Sequence, residues 1–169
     1  MRRLLESDRS LWFSVSANTR APRPGEVEGV DYHFTTREEF ERLRDAGGFL
    51  ESFDVYGDLK GTPRGPVEAH LAAGDDVLLE LDVQGALAVR DVFPEALLVF
   101  VKPPSREVQR ERLLARDGDG DPAVVARRLA RADAEEALAD RFDAVVVNDD
   151  LGRAVGQVAA ILKGRRKAS

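Results

Sequence analysis

The chain has 169 residues, 33% charged and 43% hydrophobic, a balance typical of one soluble globular domain rather than of a disordered chain. Its formal net charge of -6 argues against non-specific nucleic-acid binding, so any anion site must be built locally. Cysteine is absent, which excludes disulfides, thiolate catalysis and cysteine-ligated zinc. The sequence has no membrane-length apolar run and no secretory signal, so we expect a cytoplasmic protein without a membrane partner.

Short strands and helices are predicted in the first half of the chain. Leu11, Phe13 and Val15 alternate with polar or bulky neighbours, which predicts a strand. Thr36 followed by Glu39 forms the pattern of a capping box at the start of a helix. The predicted elements are a strand over 11–15, a loop, a strand over 32–34, a helix to 46, a strand over 49–55 and its return over 59–62.

Apolar strands alternate with helices in the second half, which favours a parallel α/β sheet. The predicted strands are 77–81, 97–101 and 144–147. The predicted helices are 66–73, 84–92, 106–115 capped by Ser105, one that begins at Pro122 behind the cap Asp121, and a last one capped by Asp150. The stretch 117–121 is a predicted hinge, and we expect the six C-terminal residues to be frayed.

One loop concentrates charge and turn-forming residues. The stretch from Ser14 to Phe34 reads SVSANTRAPRPGEVEGVDYHF and contains Arg20, Arg23 and Glu26. Its two prolines stiffen the backbone, and two guanidinium groups on a stiffened loop suit a phosphate monoester. A solvated basic turn is the alternative interpretation of a lone R-x-x-R.

The same string closely resembles the GMP-binding segment of guanylate kinases, and further matches follow in order in FLESF, GDLKGTP, LLELDVQG and VVVNDDL. The resemblance covers Leu11 to about Lys163. It implies an α/β fold: a P-loop-kinase-like parallel sheet with flanking helices, an inserted small antiparallel GMP-binding lobe and a helical lid. It implies one domain over 1–169, with core segments 1–30, 65–115 and 140–169, a GMP-binding lobe over 31–64 and a lid region over 116–139.

The resemblance implies how GMP is bound. Glu51 matches the glutamate that binds the guanine base in the family. A carboxylate suits this role because it accepts hydrogen bonds from the adjacent N1–H and 2-amino donors of guanine. Adenine lacks this pair of donors and would leave the carboxylate unpaired. An exposed strand carboxylate is the alternative for Glu51. The other implied GMP ligands are Ser16 and Thr62 at the base, Arg20, Arg23 and Tyr32 at the phosphate, Glu26 orienting an arginine, and Lys60.

The resemblance also implies catalytic positions. Asp82, at the tip of an apolar strand, matches the acid that organises Mg²⁺ and the phosphates, although capping the next helix explains it equally well. Arg116 and Arg128 match lid arginines over the transferring phosphoryl group; surface ion pairs, and Arg127 as a competitor of Arg128, are the alternatives. Asn148 matches a position near the adenine of ATP.

The implied reaction is ATP + GMP to ADP + GDP in purine nucleotide metabolism, with Mg²⁺ bound by the nucleotide rather than caged by the protein. Three positions depart from the family: Lys60 replaces a tyrosine, Ser52 an aromatic residue and Asp117 a glycine. No G-x-x-x-x-G-K-[ST] motif occurs in the sequence, so the family's first strand and P-loop are absent. We therefore expect an N-terminally truncated guanylate kinase. The alternatives are a non-catalytic GMP-binding or protein-interaction module and a poorly folding fragment.

Overall fold

The structure is a computed structural model, which describes residues 1–55, 57–117 and 122–168, and the side chains of all of these except 116, 117, 122, 123 and 168. The chain divides into two compact units, Met1–Ala96 and Leu97–Ser169. Within the described ranges no helix combines the length and the apolar content needed to cross a lipid bilayer. The predicted division into core, lobe and lid remains a prediction.

Unit 1 contains a parallel strand pair and a four-stranded mixed sheet. Strands β1 and β6 pair in parallel, and the second sheet has the order β3-β2-β5-β4, in which β5 is antiparallel to both of its neighbours. The elements are α1 (Arg2–Ser7), β1 (Leu11–Phe13), β2 (Ala17–Asn18), β3 (His33–Phe34), α2 (Arg37–Asp45), β4 (Phe49–Val55), β5 (Asp58–Pro63), α3 (Arg64–Ala72), β6 (Asp76–Leu78) and α4 (Val83–Val92).

Strand β2 lies where the sequence predicted only a loop. Ala17 and Asn18 are both buried, and they pair in parallel with β3 and antiparallel with β5. The backbone N–H of His33 adds a 2.9 Å hydrogen bond to the carbonyl of Ser16. Two residues are too few to show an alternating pattern, so this strand is visible only from its partners.

An irregularity in β4 directs its side chains. Phe49 pairs with Pro63 and Glu51 with Thr62, so Leu50 is an extra residue opposite the β5 strand. A bulge of this kind re-aims the side chains around it. Phe49 stacks on Phe40 with ring centroids 4.3 Å apart, and the next residue belongs to a different apolar cluster. The buried members of that second cluster are Leu50, Val67 and Val89.

Unit 2 is built on the parallel pair β7–β8, in which Val101 pairs with Val146. Among the described residues of this unit, the buried apolar ones are Val146, Leu98 and Ala154. The rings of Phe100 and Phe142 meet edge to face at 5.3 Å. The elements are β7 (Val99–Lys102), α5 (Arg106–Asp117), α6 (Pro122–Glu136), a single 3₁₀ turn (Ala139–Arg141), β8 (Ala144–Val147) and α7 (Leu151–Ala168).

Several predicted caps are confirmed. The Thr36 hydroxyl accepts the Glu39 N–H at 3.1 Å, and Asp150 accepts the Arg153 N–H at 2.8 Å. The predicted cap Asp121 and most of the predicted hinge lie outside the described residues. The parallel pairing predicted for the C-terminal half is also confirmed.

Some predicted boundaries were wrong. Strand β6 ends at Leu78 rather than Leu81, because β1 provides only three paired residues. Helix α3 begins at Arg64, which the later Pro66 permits because N–H groups in the first turn have no partner within the helix. Helix α7 continues to Ala168, so the expected frayed tail is helical through that residue.

Candidate functional site

Glu51 is a buried carboxylate on strand β4. It is 9% exposed, and its Oε1 atom accepts a 2.6 Å hydrogen bond from the hydroxyl of Thr62, which is 1% exposed. The two residues face each other directly across the β4–β5 ladder. The alternative of an exposed strand carboxylate is therefore wrong for Glu51.

Burial raises the pKa of Glu51, because a carboxylate loses hydration inside the protein. The Thr62 hydrogen bond and the positive charge of Lys60 oppose this shift, whereas the negative charge of Asp82 adds to it. Because burial disfavours the charged form, hydrogen-bond donors supplied by a ligand would stabilise this carboxylate.

Helix α4 approaches Glu51 at Gly85. A Cβ atom at Gly85 would lie 3.3 Å from Oε2 of Glu51 and 3.3 Å from Oδ1 of Asp82. Only glycine leaves the space beside that carboxylate open. Asp82 caps α4 by accepting the Gly85 N–H at 2.8 Å, as its alternative interpretation predicted; it lies four residues beyond the end of β6 rather than at the strand tip.

Arg20 and Glu26 form a fork-to-fork ion pair. Two guanidinium nitrogens of Arg20 donate to the two carboxylate oxygens of Glu26 at 2.7 and 2.5 Å, and their side chains are 17% and 18% exposed. This pairing raises the pKa of Arg20, and together with the Arg23 N–H it lowers the pKa of Glu26 from its ordinary 4.5 to about 2. Glu26 thus orients Arg20, as the sequence predicted.

The ring of Tyr32 connects two cations. The guanidinium carbon of Arg20 lies 5.0 Å from the centre of this ring, and Nζ of Lys60 lies 5.5 Å from it. Such contacts stabilise cations electrostatically and fix their approach. Lys60 also donates to the carbonyl of Glu80 at 3.4 Å. Contacts between side chains therefore connect Arg20, Glu26, Tyr32 and Lys60 into one group. The positive charge of Lys60 also acts on Glu51, where it opposes the rise in pKa that burial causes.

Two further predicted site residues, Arg23 and Ser16, form hydrogen bonds through their backbone groups. The N–H of Arg23 donates to Oε2 of Glu26 at 2.7 Å, and its side chain belongs to an exposed residue. Ser16 is 7% exposed, and its carbonyl anchors β3. Within the described part of the chain, the Ser16 hydroxyl forms no hydrogen bond with the other candidates.

Unit 2 holds the remaining predicted residues. Asn148 follows β8, donates its N–H to the carbonyl of Lys102 at 2.7 Å, and lines a cavity of about 270 Å³. The other residues lining this cavity are Val101, Lys102, Pro103, Gln109, Arg112 and Leu113. Arg128 lies half-buried on α6 and does not line it. The side chain of Arg116 lies outside the described residues.

A larger cavity, of about 690 Å³, lies in unit 1 and is lined by Trp12, Leu43 and Pro66 among others. None of the predicted site residues lines it. Its walls lack a converging set of charged groups, so the polar chemistry of unit 1 is concentrated around Glu51 and Arg20 instead.

The sequence interpretation missed several contributors. Asn18 accepts the Arg20 N–H at 3.1 Å, and Phe34 presents its ring 5.8 Å from the Arg20 guanidinium. Gly85, with its close approach to Glu51, was also missed. The motif LLELDVQG contains that glycine, but nothing local in it shows which side chain it faces.

A profile of the guanylate kinase family matches residues 2–165. The chain belongs to the guanylate kinase family. It is 50% identical to "Guanylate kinase" of Symbiobacterium thermophilum over 98% of this chain and 78% of that relative. It is 49% identical to a "Guanylate kinase" of Thermus thermophilus over 99% of this chain and 75% of that relative.

A solved structure agrees with this assignment. The crystal structure of guanylate kinase from Anaplasma phagocytophilum superposes with a TM-score of 0.82 at 35% identity, over 96% of this chain and 78% of that one. The family and the α/β fold that the sequence resemblance implied are therefore confirmed.

Proposed function

We propose that this member of the guanylate kinase family transfers a phosphoryl group from ATP to GMP, giving ADP and GDP. The observation that carries the proposal is a buried carboxylate, Glu51, whose pKa burial raises and the positive charge of Lys60 lowers in part, together with Arg20 and Lys60, which both contact the ring of Tyr32. The guanine base of GMP offers two hydrogen-bond donors, which suit the carboxylate. The phosphate of GMP is a dianion, which suits the two cations.

Each residue has a role in this proposal. Glu51, oriented by Thr62, accepts the N1–H and 2-amino groups of guanine, and the hydroxyls of Ser16 and Thr62 complete the recognition of the base. Arg20, which Glu26 orients and the Tyr32 ring contacts, binds the phosphate together with Arg23, Tyr32 and Lys60. Lys60 acts there as a point charge in place of the family's tyrosine.

ATP would be bound with Asn148 near its base. Asp82, Arg116 and Arg128 would act on the phosphates, by organising Mg²⁺ and by supplying positive charge to the transferring group. The described residues contain no group of three or more His, Cys, Asp or Glu side chains that could hold a metal ion. Mg²⁺ would be bound mainly by the nucleotide phosphates. The ion would neutralise phosphate charge.

The comparisons favour an enzyme over a non-catalytic module, because the relatives at about 50% identity are named guanylate kinases. The acidic net charge favours nucleotide partners over nucleic acid, and a cytoplasmic location suits both substrates.

The test is a coupled assay of ADP formation with ATP and GMP, alongside calorimetry of GMP and AMP. We expect GMP-dependent turnover and binding of GMP in preference to AMP. GMP binding without turnover would support the module instead. Equal affinities for GMP and AMP would contradict the proposed base site.

A further inference from the structure

An ion-pair network in unit 2 ties together three elements. Glu136, the last residue of α6, accepts from Nζ of Lys102 at 2.6 Å and from a guanidinium nitrogen of Arg106 at 2.7 Å. Lys102 ends β7 and Arg106 begins α5. The same guanidinium nitrogen pairs with Asp133, one turn earlier on α6, at 2.6 Å.

Two branches of this network reach the cavity that Asn148 lines. Lys102 itself is part of the cavity wall. Arg106 donates through its other terminal nitrogen to Oε1 of Gln109 at 2.6 Å, and Gln109 is also part of the wall. Glu136 does not line the cavity, so it can act there only through these neighbours.

The charges make Glu136 the centre of the network. Its two carboxylate oxygens hold one cation each, and its hydrogen bond with Lys102 lowers its pKa, so it stays ionised near neutral pH. Without this carboxylate, Lys102 would lose the ion pair that holds its ammonium group. Among the described residues, Arg106 would keep Asp133, which is 65% exposed, as its anionic partner.

We propose that Glu136 is a positioning residue for the Asn148 cavity, acting through Lys102 and through Arg106 and Gln109. The inference rests on the proposed function in taking the adenine nucleotide as the cavity's ligand. Its geometric part concerns the side chains of the free protein alone.

The experiment compares Glu136→Gln with a matched control, Glu135→Gln. Glu135 is the neighbouring residue on α6 and pairs within that helix with Arg131 at 2.7 Å. In ¹⁵N NMR spectra of the free protein, we expect Glu136→Gln to move the side-chain amide signals of Gln109, whereas Glu135→Gln leaves them in place. Apart from Lys102, whose ion pair is lost in Glu136→Gln, the backbone signals of β7 and β8 should stay unchanged in both variants.

Affinity for ATP gives the second measurement. We expect Glu136→Gln to weaken ATP binding roughly two- to fivefold, the range of a partly exposed ion pair, and to leave GMP affinity unchanged. Unmoved Gln109 signals in Glu136→Gln, or the same displacement in both variants, would overturn the proposal. So would displaced signals throughout unit 2, which would mark general destabilisation.

A further variant keeps the inference testable if Glu136→Gln does not fold. Asp133→Asn removes only the second carboxylate that pairs with Arg106. It should move the Gln109 signals and leave the Lys102–Glu136 pair intact. Unmoved Gln109 signals in this variant would contradict the coupling from α6 through Arg106 to Gln109. If the unmodified protein binds no ATP, the proposal that the Asn148 cavity binds the adenine nucleotide is wrong. The Gln109 signals still test whether Glu136 positions the side chains of the cavity wall.

Discussion

The Thr62 hydroxyl donates a 2.6 Å hydrogen bond to Oε1 of Glu51, and the two residues face each other across the β4–β5 ladder. This contact fixes the carboxylate plane with Oε2 directed toward Gly85. A fixed plane matters because guanine presents two parallel donors, which a freely rotating carboxylate would meet in the right orientation only part of the time.

Replacing Glu51 with glutamine should weaken GMP binding by roughly 1–3 kcal/mol, because an amide offers donors where guanine also offers donors. Calorimetry of GMP and guanosine measures the effect, and both ligands should lose affinity alike, since the base is common to them. Glu80→Gln is the control, because Glu80 is exposed and contacts Lys60 through its backbone carbonyl. Unchanged GMP affinity in Glu51→Gln would show that this residue does not read the base.

The Glu51 carboxylate should also make GMP binding depend on pH. Burial raises the pKa of Glu51, so on acidification the carboxylate is lost at a higher pH than for an ordinary glutamate, and GMP affinity falls with it. Thr62→Val removes the hydrogen bond that lowers this pKa, so the midpoint of the affinity loss should move to higher pH. Thr35→Val, which removes a hydroxyl that donates to Glu39, should leave the midpoint where it is.

The raised pKa of Glu51 also makes the stability of the ligand-free protein depend on pH. Stability falls as the pH rises, whereas GMP affinity falls as the pH is lowered. Because the pKa of Glu51 is higher in the folded than in the unfolded state, folding takes up a proton between the two values. Its contribution to stability is therefore complete below the unfolded pKa and is lost as the pH rises through the folded one. Glu51→Gln should remove this loss, which thermal melts of the ligand-free protein across that range would detect.

What could be predicted from the sequence was mainly local. Thr36 and Asp150 each cap a helix by accepting the N–H of the residue three positions ahead. Glu26 pairs with an arginine six residues away. Short sequence patterns were enough to predict these contacts. The pairing of β4 with β5 was predicted as a strand over 49–55 and its return over 59–62.

The rest depends on contacts between distant segments. The bulge at Leu50 is defined by the register of β4 against β5, and strand β2 exists only through its partners. The approach of Gly85 to Glu51 joins residues 34 positions apart, as does the Lys102–Glu136 pair. No periodicity within one element reports such distances.

Arg20→Ala and Arg23→Ala should weaken GMP far more than guanosine, because the lost guanidinium groups face the phosphate in the proposed site. Arg20→Ala also leaves Glu26 without its ion-pair partner near the dianion, so we expect its effect to be the larger of the two. Arg42→Ala, at an exposed pair with Glu39, is the control. Equal losses for GMP and guanosine would contradict the phosphate assignment.

Gly85→Ala should weaken GMP binding without unfolding the protein. The added methyl group would lie 3.3 Å from both Oε2 of Glu51 and Oδ1 of Asp82, so one carboxylate must move. Gly156→Ala in α7 meets no atom within 4 Å and should stabilise the protein by about 0.5–1 kcal/mol, the usual gain of alanine over glycine in a helix. Equal GMP affinities in Gly85→Ala and the unmodified protein would show that the open space beside Glu51 is not used.

The Arg20–Glu26 pair should make the loop sensitive to acid. The folded-state pKa of Glu26 is lowered from 4.5 to about 2, mainly by the Arg20 hydrogen bond. A lowered carboxyl pKa contributes stability above the unfolded value, and this contribution is lost as the pH falls through the folded value. Urea unfolding between pH 4.5 and about 2 should therefore show a steeper loss of stability in the unmodified protein than in Glu26→Gln.

A matched control separates this pair from general acid effects. Glu41 pairs with Arg37 on the surface of α2 at 3.4 Å, with both side chains at least 40% exposed, so solvent screens that interaction. Glu41→Gln should keep the steep pH dependence that Glu26→Gln loses. If both variants follow the unmodified protein, the Glu26 carboxylate is not held by Arg20 in solution. The guanidinium group must then be oriented for the phosphate by its hydrogen bond to the Ala21 carbonyl and by the rings of Tyr32 and Phe34.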